Sequence, residues 1–260
     1  MSEKRPPTRR VEHGSSHRYF LDGYAVKGVT TIRDAGVPKP ALIDWAARET
    51  AGYAVDHWDE LAELTPSARL RLLDRARFEG RDSAAGRGTD VHALVARLAR
   101  GEAIEPGDAL VGLVDAYLRF ADDWIVDDLL VEAIVANRRC QYMGTLDLIA
   151  DLVDGRRWLL DFKTGSGVYS ETELQLAAYR YAEFYVDPET GEERPLPEVD
   201  ATGAVWLRED GYDLLDVEAD EAAFAVFRHA QQVAKWSWAA KDRGRYEPAV
   251  LPARRLEAAS

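Results

Sequence analysis

Cysteine is almost missing from this chain: Cys140 is the only one in 260 residues. A single thiol excludes an internal disulfide, a thiolate zinc site and a cysteine-ligated iron–sulfur cluster, and it fits a reducing compartment. Long apolar runs are missing too. Nothing approaches the ~18 apolar residues of a membrane span, and the opening MSEKRPPTRR has charges without the apolar stretch of a secretory signal. The expected location is cytoplasmic, with no membrane partner. Basic charge is in deficit, with 33 Lys and Arg against 46 Asp and Glu for a net charge of −13, so a blanket electrostatic grip on nucleic acid is not available. The charge is unevenly spread. Residues 1–33 hold seven basic and three acidic side chains and residues 231–260 hold six and three, which leaves an acidic body with basic ends.

What is present is the composition of a globular protein: 47% hydrophobic and 30% charged residues exclude a disordered or collagen-like chain. Residues 1–17, rich in Arg, Pro, Ser and His without periodicity, read as a mobile basic arm. Residues 18–82 read as an N-terminal helical extension, 83–245 as the core and 246–260 as a tail. Within the extension, Gly28 to Ile32 has the β-branched content of a short strand, and helices are predicted from Ala41 to Trp58 and from Thr65-Pro66-Ser67 onward. Ser83 to Ala99 reads as a further helix, with Val91, Leu94, Val95 and Leu98 as its apolar stripe and His92 beside it. Another is predicted over Gly107 to Val126. The period then changes to that of strands: Leu130 to Arg138, Cys140 to Val153 and Arg156 to Lys163. Ser170-Glu171-Thr172-Glu173 has the form of a capping box and predicts a helix to about Tyr185. A loop or hairpin over 186–199, strands at Gly203–Arg208 and Tyr212–Val217, and a helix from Glu218 to Lys241 complete the reading. Trp45, Trp58, Trp124 and Trp236 read as core residues. The order of elements predicts an α/β fold, a central mixed β-sheet flanked by helices.

Asp161 is the residue that needs explaining, because WLLDF (158–162) otherwise reads as a strand buried on both faces. A buried carboxylate is costly unless it is paired, hydrogen-bonded or metal-bound. Lys163 shares its face of the strand, and the preceding strand supplies Asp147. A three-residue loop Val153-Asp154-Gly155, with Gly155 left-handed, would put Asp147 opposite Asp161, Leu146 opposite Phe162 and Leu148 opposite Leu160; a two-residue loop would turn Asp147 to the other face. Two opposed carboxylates repel without a cation between them, and hard oxygen ligands favour Mg²⁺ or Mn²⁺. An ammonium beside that ion completes a set suited to metal-assisted phosphodiester hydrolysis. Arg138 and Arg139, flanking the motif strand, read as phosphate contacts or as plain solvated arginines.

Four segments in order also resemble a known family. Arg87-Gly88-Thr89-Asp90-Val91-His92, Gly144-Thr145-Leu146-Asp147, Asp161-Phe162-Lys163-Thr164-Gly165 and Gln175-Leu176-Ala177-Ala178-Tyr179 are similar to the histidine, Asp, Asp-x-Lys and Gln-x-x-x-Tyr motifs of the PD-(D/E)xK nucleases, RecB-like branch. Val29-Thr30-Thr31-Ile32 and the helix start at Pro38 resemble the N-terminal part of stand-alone CRISPR-associated RecB-type exonucleases, often found in phage genomes. The resemblance implies a restriction-endonuclease-like core and an Mg²⁺- or Mn²⁺-dependent DNA nuclease, an exonuclease acting in recombination, repair or phage DNA metabolism. His92, Asp147, Asp161 and the backbone carbonyl of Phe162 would bind the metal. Lys163 would position or activate water, with Asp147 and Asp161 as its catalytic partners. Gln175, Tyr179, Glu132, Thr164 and Arg87 would contact substrate or brace the site. The four cysteines that hold an iron–sulfur cluster in many CRISPR-associated members are absent. DNA is the implied partner, gripped in a narrow channel, with the help of a homo-oligomer or of a partner recombination protein. The rival expectations are a catalytically silent nuclease fold that binds nucleic acid or organises an assembly, and an unrelated phosphoesterase for small molecules.

Overall fold

Strands occupy Arg9–His13 and Ser16–Leu21, where a loose arm over residues 1–17 was predicted; residues 1–5 of that arm lie outside the described residues. A computed structural model describes residues 6–14, 16–99 and 101–244, and the side chains of residues 41 and 77–90 fall outside that description, as does the predicted tail. Strands β1 (Arg9–His13), β2 (Ser16–Leu21) and β3 (Tyr24–Gly28) form an antiparallel meander. Its second turn is Asp22-Gly23, both at positive φ (50° and 85°), which closes Leu21 against Tyr24. That is the two-residue hairpin for which Asp-Gly is suited. Alternation supplies the rest, because Tyr19 and Leu21 are buried on one face of β2.

The GVTTI segment is also corrected: Val29–Gly36 is a helix, α1. Val29 and Ile32, one turn apart, are both buried, so packing overrides the β-branched preference. Gly36 lets α1 close on the last helix, since a Cβ there would lie 2.1 Å from the carbonyl oxygen of Ala230. Helix α2 (Pro40–Asp56) follows the prediction closely, and a short helix that was not predicted, α3 (Trp58–Ala62), comes after it. The two helices expected from Pro66 and Ser83 are one, α4 (Pro66–Ala99), so the predicted boundary at 82/83 falls inside a helix. After a 3-10 turn at Asp108–Leu110 comes α5 (Val111–Trp124).

The remainder runs β4 (Ile125–Asn137), β5 (Tyr142–Leu152), β6 (Arg157–Lys163), α6 (Glu171–Arg180), β7 (Phe184–Val186), β8 (Glu193–Pro195), β9 (Ala201–Arg208), β10 (Gly211–Asp216) and α7 (Glu221–Arg243). The capping box is not made. Ser170 already has helical dihedrals and its side chain caps nothing, and α6 stops at Arg180 because Phe184–Val186 leaves to pair with β4. Trp58 and Trp236 are exposed, not core residues.

The protein is α/β, with a mixed, curled sheet flanked by helices. β6 pairs in parallel with β9 and β3 with β5, and the remaining pairings are antiparallel. Apolar layers lie on both faces. Val29, Ile32, Leu146, Leu176 and Phe227 pack beneath α1, α6 and α7, and Val91, Val95, Tyr117, Phe120 and Leu160 pack beneath α4 and α5. Among the described residues no helix is long and apolar enough to cross a membrane.

Strand β5 positions the site. One of its edges pairs along its length with β4. The other pairs with β3 at Tyr142–Met143 and with β6 at Leu148–Asp151, leaving a gap at residues 144–147 where neither ladder reaches. β3 and β6 both run toward that gap; β3 passes into α1 there, and β6 parts from β5 while staying paired with β9 as far as Lys163. A gap where strands diverge at their carboxyl ends is where sheets of this kind make crevices.

Candidate metal centre

The hairpin register that decides the aspartates is the three-residue one. Leu148–Leu160, Ile149–Leu159, Ala150–Trp158 and Asp151–Arg157 are paired, and Gly155 sits at φ 79°. The ladder stops at Leu148–Leu160, so the expected pairings of Asp147 with Asp161 and of Leu146 with Phe162 are not made. The Asp147 carboxylate takes the place of the second, Oδ2 accepting the Phe162 backbone N–H at 2.7 Å. Neighbouring N–H and C=O groups of one strand residue face the same side, so the Phe162 carbonyl also lies on the side of the gap.

Five elements bring side chains to this point: α4, β4, β5, β6 and α6. His92, half-buried on α4, places Nδ1 3.3 Å from Asp147 Oδ2 and 3.9 Å from Glu132 Oε1. Donor atoms of His92, Glu132 and Asp147 all lie within 4.8 Å of one another. Glu132 sits on β4 at φ 50°, an unfavourable conformation for a side chain of its kind. It falls between Val131–Leu148 and Ala133–Leu146, which puts it beside Asp147 across the strands. Asp161 is 1% exposed. Its Oδ1 accepts from Gln175 Nε2 at 2.5 Å, while Oδ2 faces the Lys163 ammonium as an ion pair without a hydrogen bond of normal geometry.

The electrostatics follow from crowding charge in a dry place. The Asp147 charge raises the His92 pKa to about 9, against the opposing effect of burial. Burial alone would raise Asp147, but the charge and hydrogen bond of His92, then Lys163, hold it below the ordinary carboxylate range. Asp161 is pushed up by burial and by Asp147, only partly offset by Lys163. Burial, then the two aspartates, keep the Tyr179 phenol protonated well above its usual range. One carboxylate is thus held ionised and its neighbour is destabilised as an anion, which an added cation would relieve.

The buried Asp161 Oδ2 and the oxygen-rich donor set fit a hard divalent ion. Among the described residues the group within ion-binding distance is His92, Glu132 and Asp147; Asp161, expected as a ligand, lies outside it with Oδ2 against Lys163. Tyr179 and Gln175 are buried one turn apart on α6, and Tyr179 lies over Gly144, where a Cβ would come 2.6 Å from the ring. That approach explains the glycine at the head of the Gly-Thr-Leu-Asp segment. Thr164, half-buried, follows β6 directly. Arg87 lies outside the described side chains. Arg138 and Arg139 are engaged elsewhere, with Asp22 and Glu193 and with Glu183.

Sequence reasoning missed three contributors. Arg33 of α1 donates to Gln175 Oε1. Tyr19 Oη shares a hydrogen bond of 2.9 Å with Thr145 Oγ1, and Arg10 Nη1 donates to the same oxygen at 3.4 Å. The Asp-Gly turn at 22–23 was the signal that could have placed Tyr19 in a hairpin; nothing local marked Arg10 or Arg33. Compared with known proteins, the sequence matches no family model and no curated protein.

Proposed function

We propose that this chain is a metal-dependent DNA nuclease of the PD-(D/E)xK type, with a restriction-endonuclease-like core built around β4–β6 and α6. The observation that carries the reading is the pair of buried carboxylates, Asp147 and Asp161, facing an unpaired gap of the sheet with His92, Glu132 and Lys163 around them. A structural ion pair needs one acid and one base. Here two buried acids and a third carboxylate converge, an arrangement that is costly without a cation among them.

His92, Asp147, Asp161 and the Phe162 carbonyl would hold Mg²⁺ or Mn²⁺, with Glu132, which lies in one group with His92 and Asp147, as a further ligand. The ion would supply Lewis acidity and lower the pKa of bound water. Lys163 presents its ammonium beside Asp161, where it can hold an attacking water or a phosphate oxygen. Tyr179, kept protonated, braces Gly144 and with it the start of the motif strand. Gln175 orients Asp161. The β1–β3 meander brings Arg10 to the flank of the gap, beside Thr145, a local cation suited to a phosphate contact on an acidic protein. DNA ends are the expected substrate.

Digestion of end-labelled single- and double-stranded linear DNA with Mg²⁺, Mn²⁺ or EDTA, with Asp161→Ala alongside, tests the reading. Metal-dependent release of label that is lost in the variant supports it. Absence of cleavage under every condition, with DNA still bound, would favour the silent binding module instead.

A further inference from the structure

Gln175 lies between a side chain that can only donate and one that, ionised, can only accept. On one side is the Arg33 guanidinium, with five N–H donors and no acceptor; on the other is the Asp161 carboxylate, with acceptors only. An amide has one end of each kind. Only one of its two orientations satisfies both neighbours: Oε1 toward Arg33 and Nε2 toward Asp161. Reversed, it would set its NH₂ against a guanidinium and its oxygen against a carboxylate. Arg33 is itself fixed, since Nε and Nη2 reach Asp34 Oδ1 at 2.9 and 2.8 Å, and Lys39 Nζ meets the same oxygen at 2.8 Å. Its helix is clamped on α7 at Gly36.

We propose that Arg33 is a positioning residue of this centre: it fixes the Gln175 amide, and through it the rotamer in which Asp161 has Oδ1 satisfied and Oδ2 turned toward the gap. Arg33 does not reach the reacting atoms. Its position also accounts for glutamine at 175, because glutamate there would face Asp161 with no donor. The step from carboxylate orientation to metal affinity rests on the metal-centre reading above; the orientation of the amide does not.

Two readouts on the full-length protein separate these. The first is the side-chain amide resonance pair of Gln175 in metal-free ¹⁵N-labelled protein, assigned by its loss in Gln175→Ala. In the wild type it should be shifted and slow to exchange. In Arg33→Met it should move to the position of a solvated glutamine and exchange fast. The second is Mn²⁺ affinity by calorimetry. Arg33→Met should weaken it roughly 10–100-fold, the range for losing a partner that orients a ligand, and should weaken it no further in a Gln175→Ala background. Arg33→Lys should be intermediate in both, because an ammonium lacks the fork that holds Asp34 and Gln175 together. It also serves if Arg33→Met fails to fold. Unchanged amide resonances in either variant, or losses that multiply in the double variant, overturn the assignment of Arg33. If the wild type binds no Mn²⁺, the metal reading falls and the amide resonances alone decide the role of Arg33.

Discussion

The β5–β6 hairpin has two unlike ends. Near the turn the strands are fully laddered, and the buried side chains are Trp158, Leu160, Leu148 and Leu152. Three residues further on, the ladder opens and two carboxylates occupy the interior. Each large apolar side chain at the closed end contributes about 1.5–3 kcal/mol on burial, whereas a buried ion costs several kcal/mol before its partners compensate. The end near the turn therefore sets the register, and the open end receives it. A slip by one residue would turn Asp147 away and move every apolar side chain into the layer shaped for its neighbours, so the geometry of the charged end is protected by the packing of the other.

The largest expected effect falls at the open end. Lys163→Ala should reduce cleavage by about 10²–10⁴, the range for a group that positions or activates the nucleophile, while Mn²⁺ binding by calorimetry is largely kept. A wild-type rate would remove Lys163 from the chemistry. Asp161→Asn separates function from stability. Metal affinity should fall, yet the metal-free protein should melt higher, because the anion it loses was disfavoured by burial and by Asp147 while the Gln175 amide keeps an oxygen to donate to. A lower melting temperature in EDTA would mean that the Lys163 pair outweighs the repulsion.

Next comes pH. In chelator-treated protein the Asp147 charge should hold the His92 pKa up at about 9, from an ordinary 6.5. A raised folded-state value contributes stability fully below the unfolded pKa and loses it as pH climbs through the folded one. The stability gap between wild type and His92→Gln should therefore be widest near pH 6 and close by about pH 9.5, as read from urea unfolding at each pH. A gap that widens upward would show that His92 is held neutral.

At the closed end the expected effects are smaller. Gly155 adopts φ 79° in the three-residue turn, where alanine is strained, and Gly155→Ala should cost about 1 kcal/mol or somewhat more. Urea unfolding measures it. Cleavage in the folded fraction should be unchanged, because four laddered pairs still hold the register.

The same contrast explains what could be read from sequence. Asp161 stood out because a polar residue interrupts an apolar strand, and Gly155 fixed the loop length, so register and carboxylates were legible together. Leu146–Phe162 pairing was not, because the Asp147 carboxylate competes for the Phe162 amide and nothing in strand periodicity registers that competition. The N-terminal third fared worse for a related reason. Val29-Thr30-Thr31-Ile32 prefers strand by local propensity and becomes helix through burial of Val29 and Ile32 against distant elements, and Arg33 was lost with it. Gly144 carried no signal of its own, since its meaning lies in a tyrosine 35 positions away.

The smallest effect tests whether the rim of the closed end contributes to register at all. Arg157 grips Asp151 with two hydrogen bonds, Nε–Oδ1 at 2.8 Å and Nη2–Oδ2 at 3.0 Å, and the side chains remain about a third exposed. The arginine holds the carboxyl below its usual range through that hydrogen bond, but solvent and salt screen such pairs strongly. Asp151→Asn should lower the melting temperature slightly at low ionic strength, with the difference vanishing in 1 M NaCl, and should leave cleavage untouched. If it instead impaired cleavage as strongly as a change in the turn, the ion pair would be helping to set the register, and the division between a closed end governed by apolar packing and an open end governed by charge would have to be redrawn.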